Sequence, residues 1–381
     1  MRRILSSFAL FAAQDDGVRA TGRRKPLLWI GAILLLVSLN AYAGSLQWSG
    51  FALLRGASAP DGAPLGSDSL SAQAQIGIDW RPSLTFGGHL HLLARSENDQ
   101  SRRGHAGIVE GYLDQNLVRG ANRFHFIEGA FFLPTSRENV DELWETPYSI
   151  TPSALNSWMG EEFRPIGVDA AYTRRGILGG AVTGGATVFR GNDTLGALPA
   201  GPGWTLRDHW ALLGEHLRVD PDYFTSVSAE TDNRLGWSTR ARWNNDHATV
   251  QLTHIDNRSD AIEHGNLLNW ETRFDIAGGD YTIKDWTVAA ESGWGKTSVI
   301  FFGTAYPSDI RASYALVSRR FATMRATLRA ESFESSGITH THAITAAFFW
   351  SPVPKLRAGV EAIRAGSENR VTVEMRYRFA R

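Results

Sequence analysis

The sequence predicts an all-β fold, a transmembrane antiparallel up-and-down β-barrel of about 16 strands. Three observations predict it. Apolar and polar residues alternate with period two along most of the chain. Short and long connections alternate between the periodic segments. Aromatic residues reach 11% while mean hydropathy is −0.21, so there are many rings and no long apolar runs.

Composition narrows the function classes before any element is placed. The 381 residues contain no Cys, which excludes disulfide scaffolds, thiolate zinc sites, iron–sulfur clusters and cysteine nucleophiles. With 39 basic and 39 acidic residues the net charge is zero, which argues against nucleic-acid partners.

The N-terminal part reads as an export signal over 23–43. Arg23, Arg24 and Lys25 form a basic region, Pro26 to Leu39 is an apolar run of 14 residues, and Ala41-Tyr42-Ala43 supplies a cleavage pattern before Gly44. The apolar run is shorter than the ~20 residues a spanning helix needs. Residues 1–22, with Asp15-Asp16, read as a non-native extension, and Val18 is a candidate start. From Gly44 onward the chain carries 33 basic and 37 acidic residues.

The barrel occupies 44–381. Sixteen periodic segments are expected near 46–55, 70–80, 84–95, 106–117, 123–133, 165–174, 178–190, 235–244, 247–256, 266–276, 281–292, 310–318, 322–333, 340–350, 355–364 and 369–379. In 370–379, Val371, Val373, Met375, Tyr377 and Phe379 alternate with Arg370, Thr372, Glu374, Arg376 and Arg378. Successive strand side chains point to opposite faces, so this segment has one apolar and one charged wall. Connections at 81–83, 118–122, 175–177, 245–246, 277–280, 319–321 and 351–354 are short. Those at 56–69, 96–105, 134–164, 191–234, 257–265 and 293–309 are longer. Tight turns on one side and long loops on the other suit an outer-membrane barrel. Trp48, Trp80, Trp243, Trp286 and Trp350 all fall at the tight-turn ends, as an aromatic girdle requires. Closure follows because hydrocarbon leaves no partner for a sheet edge. The last strand resembles the C-terminal assembly signal of Gram-negative outer-membrane proteins, which implies the barrel-assembly machinery as a partner, although Ala380 and Arg381 follow its Phe379.

Sixteen strands enclose a channel, so the inward face is the candidate pore wall. Arg240, Arg242, Arg325, Arg329, Arg357, Arg376 and Arg378 are its expected basic residues. Arg95, Arg273 and Arg311 are placed with them, opposite acids such as Glu271, Asp275, Glu331, Glu361 and Glu374. The third long loop, 134–164, carries Asp141, Glu142, Glu145, Glu161 and Glu162, plus Glu138. Folded inward, these acids form a pore constriction facing the Arg wall across a transverse field; the alternative is an external cap or an oligomer contact. The stretch GAFFLPTSREN…LWETPYSITPSALNSWMGEEFRPIGVDAAY resembles uncharacterised porin-like proteins of Gram-negative bacteria. That resemblance covers the fifth and sixth strands with their loop, and implies a porin-like barrel without naming a substrate. In 191–234, Thr205 and Asp208 read as a capping box, and Leu206, Trp210, Leu213 and Leu217 repeat at helical spacing, so a helix is expected there.

The expected function is passive diffusion of small polar or charged solutes through an outer-membrane channel. Outer-membrane lipid and lipopolysaccharide are its surroundings, a homotrimer is an expected assembly, and no cofactor, metal or catalytic group is assigned. The histidine pairs His89/His91 and His340/His342 lack a visible third ligand. The alternatives are an outer-membrane hydrolase or lipid-modifying enzyme, and a closed structural or adhesive barrel.

Overall fold

The computed structural model describes residues 44–60, 64–65, 69–96, 104–220, 222–336 and 339–380. The expected signal 23–43 and extension 1–22 lie outside the described residues. Twenty strands follow in chain order: β1 (Ser45–Ser58), β2 (Ser69–Arg81), β3 (Phe86–Arg95), β4 (Ala106–Arg119), β5 (Asn122–Ala130), β6 (Ile166–Ile177), β7 (Gly180–Arg190), β8 (His216–Arg218), β9 (Phe224–Ser226), β10 (Gly236–Asn244), β11 (Ala248–Asp256), β12 (Glu263–His264), β13 (Leu267–Leu268), β14 (Glu271–Ile283), β15 (Trp286–Phe301), β16 (Thr304–Phe321), β17 (Met324–Ser335), β18 (Thr339–Val353), β19 (Leu356–Ala365) and β20 (Glu368–Ala380). Sixteen of them close into one antiparallel barrel; β8, β9, β12 and β13 form a separate four-stranded sheet from the long loops.

Each of the sixteen expected segments overlaps a barrel strand, and 281–292 takes in the end of β14 as well as the start of β15. Closure joins β1 to β20, with Gly50 opposite Phe379. Gly50 is required there, because a Cβ would collide with the Gln75 carbonyl oxygen and the Phe379 ring. Trp48 packs on Phe379 across the same seam, ring centroids 5.6 Å apart.

Period two sorts the side chains as expected over most of the wall. On β17, Thr327, Arg329, Glu331 and Phe333 are buried inward, while Leu328 is 53% exposed outward. Leu54, Phe124, Phe126, Val250, Leu252, Val288, Val317, Ile344, Val373 and Met375 continue this exposed apolar exterior. At the short-turn end it is edged by Trp48, Trp286 and Trp350, with Trp80 and Trp243 half-buried beside them. Arg319 covers the Trp286 ring at 5.0 Å.

Three local expectations fail for identifiable reasons. The turn at 277–280 lies inside β14, and the chain reverses at Lys284-Asp285. Gly278 is a mid-strand glycine that admits a neighbour: a Cβ would sit 2.8 Å from Glu291 Cγ and 3.2 Å from Arg137 Cγ. The long loop 293–309 is absent. β15 and β16 run on as strands of 16 and 18 residues, joined by Phe302 and Gly303, both at positive φ. Two residues at positive φ match the twist of a tight hairpin. No helix spans 205–217 either. Leu206, Trp210 and Leu217 are fully buried without helical structure, because they pack on a second loop rather than on a helix face.

Candidate functional site

The lumen is where the charged residues converge, and two loops fill it. The chain between β5 and β6 crosses the barrel. It contains a 3-10 turn (Glu142–Trp144) and helix α1 (Ala154–Glu162), whose N-cap Ser153 side chain accepts from the Asn156 amide. Its contacts reach the wall on many sides. Gln251 of β11 donates to the Pro134 carbonyl at 2.6 Å. Glu291 of β15 accepts from the Asn156 side chain at 2.9 Å and from Tyr314 at 2.5 Å. Glu331 of β17 accepts from the Ala154 amide at 2.9 Å. Glu361 of β19 accepts from the Ile150 and Thr151 amides at 2.8 and 3.1 Å. Buried backbone N–H groups need partners, and here wall carboxylates supply them.

Charge is matched at the same places. Arg329 reaches Glu138 at 2.6 Å and Glu331 at 2.9 Å, with all three side chains fully buried. Arg376 holds Glu145 at 2.7 Å and Glu374 at 3.0 Å. Arg357 also pairs with Glu374, and Arg240 with Asp169 at 2.6 Å. Arg378 meets Asp141 at 3.1 Å near the short-turn mouth.

The expected constriction acids therefore separate into three environments. Asp141 and Glu142 line cavities at the short-turn mouth, where Ser49 donates to Glu142 at 2.8 Å. Glu145 is buried against Arg376, Gln75 and Trp210. Glu161 and Glu162 are buried, with Arg207 3.9 Å from Glu161. For Asp141 and Glu145 the expected field across open water gives way to direct pairing with Arg378 and Arg376, whereas Glu161 and Glu162 face the second loop. The seven expected wall arginines all stand on inward positions. Arg273 and Arg311 do not: each is 64% exposed on the outer face, beside Glu271 and Glu334. They lie beyond the apolar band toward the long loops, where the outer positions of the wall turn polar.

The loop between β7 and β10 packs on the first. It contains the short helix α2 (Ala197–Ala200). The Glu162 carboxylate accepts from the Ala197 amide at 3.1 Å, from Thr225 at 2.7 Å and from Trp158 at 2.5 Å. Burial pushes Glu162 up to about 7, against the pull of these hydrogen bonds. Asp208, expected to cap a helix, instead takes Arg55 at 2.6 Å. Glu215 takes Arg95 at 2.5 Å. Between the loops lies a core: Leu155, Trp158, Met159, Phe163, Leu198, Trp204 and Leu206 pack with inward Phe274, Ile276, Ile310, Phe333 and Ile363 from the wall. Beside it Phe132 stacks on Trp144 at 4.3 Å, Arg164 lies 3.3 Å over Phe132, and Trp210 abuts Gly160, where a Cβ has no room. Arg164 is completely buried, and burial lowers it to about 9.

Two further groups have local roles. Asp193, Glu230 and Asp232 bring their carboxylates within 4.8 Å of one another. They accept from Thr231, Gly191 and Arg234 amides respectively, which is the chemistry of a loop clasp. His91 bonds Gln75 at 2.7 Å and faces Glu110 at 3.5 Å, and His89 bonds Asp79 at 3.0 Å. The grip of the wall residues Glu291, Glu331 and Glu361 on the loop has no short-range signal in the sequence.

No family model matches the chain, and no curated protein matches it. Solved structures do share the fold. OmpT, an outer membrane protein of Vibrio cholerae described in a trimer form, overlays with TM-score 0.56 at 11% identity, covering 88% of this chain and 100% of that one. A loop deletion mutant of the same protein gives 0.55 at 11% identity with the same coverage. A mutant of Rh. blastica porin gives 0.47 at 10% identity, again over 88% and 100%. The chain is an all-β barrel of sixteen strands, a fold it shares with the Vibrio cholerae outer membrane protein.

Proposed function

We propose that the protein is an outer-membrane channel of porin architecture, held shut by its own loops, that passes small polar or charged solutes when the plug moves. The observation that carries the reading is the crossing of a sixteen-strand lumen by the 131–165 segment, pinned by the fully buried Glu138–Arg329 pair. Sixteen strands otherwise enclose an aqueous channel. The plug is held by side-chain and backbone bonds and apolar packing, none of which belongs to the strand ladder, so its movement leaves the barrel closed. The exposed apolar exterior and its Trp edge support placement in the outer membrane, with lipid and lipopolysaccharide around it. The final strand supports assembly by the barrel-assembly machinery. Homotrimers, as in the form described for the Vibrio cholerae protein, belong to the same reading, and the function is passage rather than catalysis.

A second reading is a permanently closed structural barrel, favoured by the aromatic core between the two loops. Planar-bilayer recording of the refolded protein separates the two. The channel reading expects brief discrete openings in the wild type, with open probability raised in Glu138→Gln. Silence in both, from protein verified as folded, would leave the structural barrel.

A further inference from the structure

We propose that the short-turn mouth of the barrel binds a small solute carrying two or more anionic oxygens, as in a pyrophosphate or a tricarboxylate. A cavity of about 400 Å³ opens there beneath the plug, among β16 to β20 and the loop residues Asp141 and Pro147. Its lining carries Arg320, Arg325, Lys355, Arg357 and Arg378 with the one carboxylate of Asp141, and Arg357 is paired with Glu374 behind the lining.

Two deeper wall arginines are neutralised by carboxylates, Arg329 by Glu138 and Glu331, and Arg376 by Glu145 and Glu374, while Arg370 donates to the Leu65 and Leu206 carbonyls and to Thr151. At the mouth, Arg320, Arg325 and Lys355 have no carboxylate within ion-pair distance among the described residues. Arg325 donates to Ser318 at 3.1 Å and stands 5.2 Å over Tyr148. Arg320 and Arg325 are moreover direct partners across the β16–β17 ladder, and both face inward. Like charges placed directly opposite destabilise a sheet, so the pair carries a cost that a bound anion would reverse.

The chemistry favours more than one oxyanion group. Each guanidinium offers a planar fork of donors, and opposite residues lie about 5 Å apart at Cβ, a spacing that two linked phosphates or carboxylates can bridge. Pro147, Phe349, Pro352 and Val353 wall the cavity with apolar surface, which strengthens the attraction. Arg378 is shared: its 3.1 Å bond to Asp141 joins two half-exposed groups, so an incoming anion competes with Asp141 for it. The site faces the short-turn side and does not require the lumen to conduct.

Isothermal titration of the full-length protein, refolded in zwitterionic detergent at low salt, tests this with pyrophosphate and citrate as probes and inorganic phosphate for comparison. Saturable one-to-one binding is expected for at least one probe, roughly ten-fold tighter than phosphate. Arg325→Gln should weaken it by about ten-fold, and Asp141→Asn should tighten it several-fold. Arg311→Gln, altered on the outer face, should leave it unchanged. Absence of saturable binding by protein that still shifts on heating in gels would overturn the proposal. So would undiminished binding by the Arg320→Gln/Arg325→Gln double variant. A failure to conduct in bilayers would leave this result standing, so the two proposals fall separately.

Discussion

Arg329 illustrates how single residues hold the plug. Its guanidinium bonds Glu138, Glu331, Ser149, the Thr151 and Pro152 carbonyls and Thr345, and is fully buried. Removing one partner of a buried pair leaves an uncompensated charge, at about 3–5 kcal/mol. Arg329→Met is therefore expected to lower the urea midpoint of the loops, read by loop tryptophan fluorescence. Arg329→Met combined with Glu138→Met should restore part of that loss. Glu162 acts at the same scale with a defined pH dependence. Its ordinary value of 4.5 is raised to about 7, so the folded protein binds this proton more tightly than the unfolded chain. Its stabilising contribution is complete below pH 4.5, falls as pH rises from 4.5 to 7, and is gone above. The full swing is on the order of 3 kcal/mol. The difference in urea midpoint between wild type and Glu162→Gln should change between pH 4.5 and 8; a constant difference would remove Glu162 from the pH response. The sequence places Arg329 and Glu331 on the inward wall and Glu138 on a loop facing it, but does not show which of them pair. A carboxylate's partner more than a hundred residues away leaves no local trace, and the five expected constriction acids looked alike in sequence.

At the scale of elements, the strands were the legible part. Period two survives wherever one face is the exposed apolar exterior and the other the packed lumen, as along Val371 to Phe379. The misplacements arise where glycine serves packing. Gly278 and Gly293 look like turn residues, yet each makes room for the plug; at Gly293 a Cβ would sit 3.0 Å from Leu155 of α1. The false helix at 205–217 shows the same limit, since Leu206 and Trp210 are spaced for a helix but buried by a neighbouring loop. Closure of the sheet offers a clean test. Gly50→Val places a side chain against the Gln75 carbonyl and the Phe379 ring at the β1–β20 seam. Refolding yield, read as the heat-dependent gel shift of the closed barrel, should fall severely, whereas Gly56→Val, where a Cβ meets its nearest neighbour at 3.7 Å, should refold normally.

At the scale of the whole molecule, the barrel has two cores. Its outer surface is apolar, and its interior is packed like that of a water-soluble protein, with rings from two loops against inward apolar residues such as Phe274 and Phe333. The alternation of apolar-out and charged-in predicts only the first. The second depends on loops returning into a lumen whose size follows from the strand count. The account's central claim is that the 131–165 segment is bound across this lumen. Hydrogen exchange of the refolded barrel measures it most directly, at the amides of Phe132, Ile150, Thr151, Ser153 and Ala154, which donate to Glu110, Glu361, Glu138 and Glu331. The account predicts that they exchange as slowly as the barrel strands. Exchange at the rate of an open surface loop would contradict it.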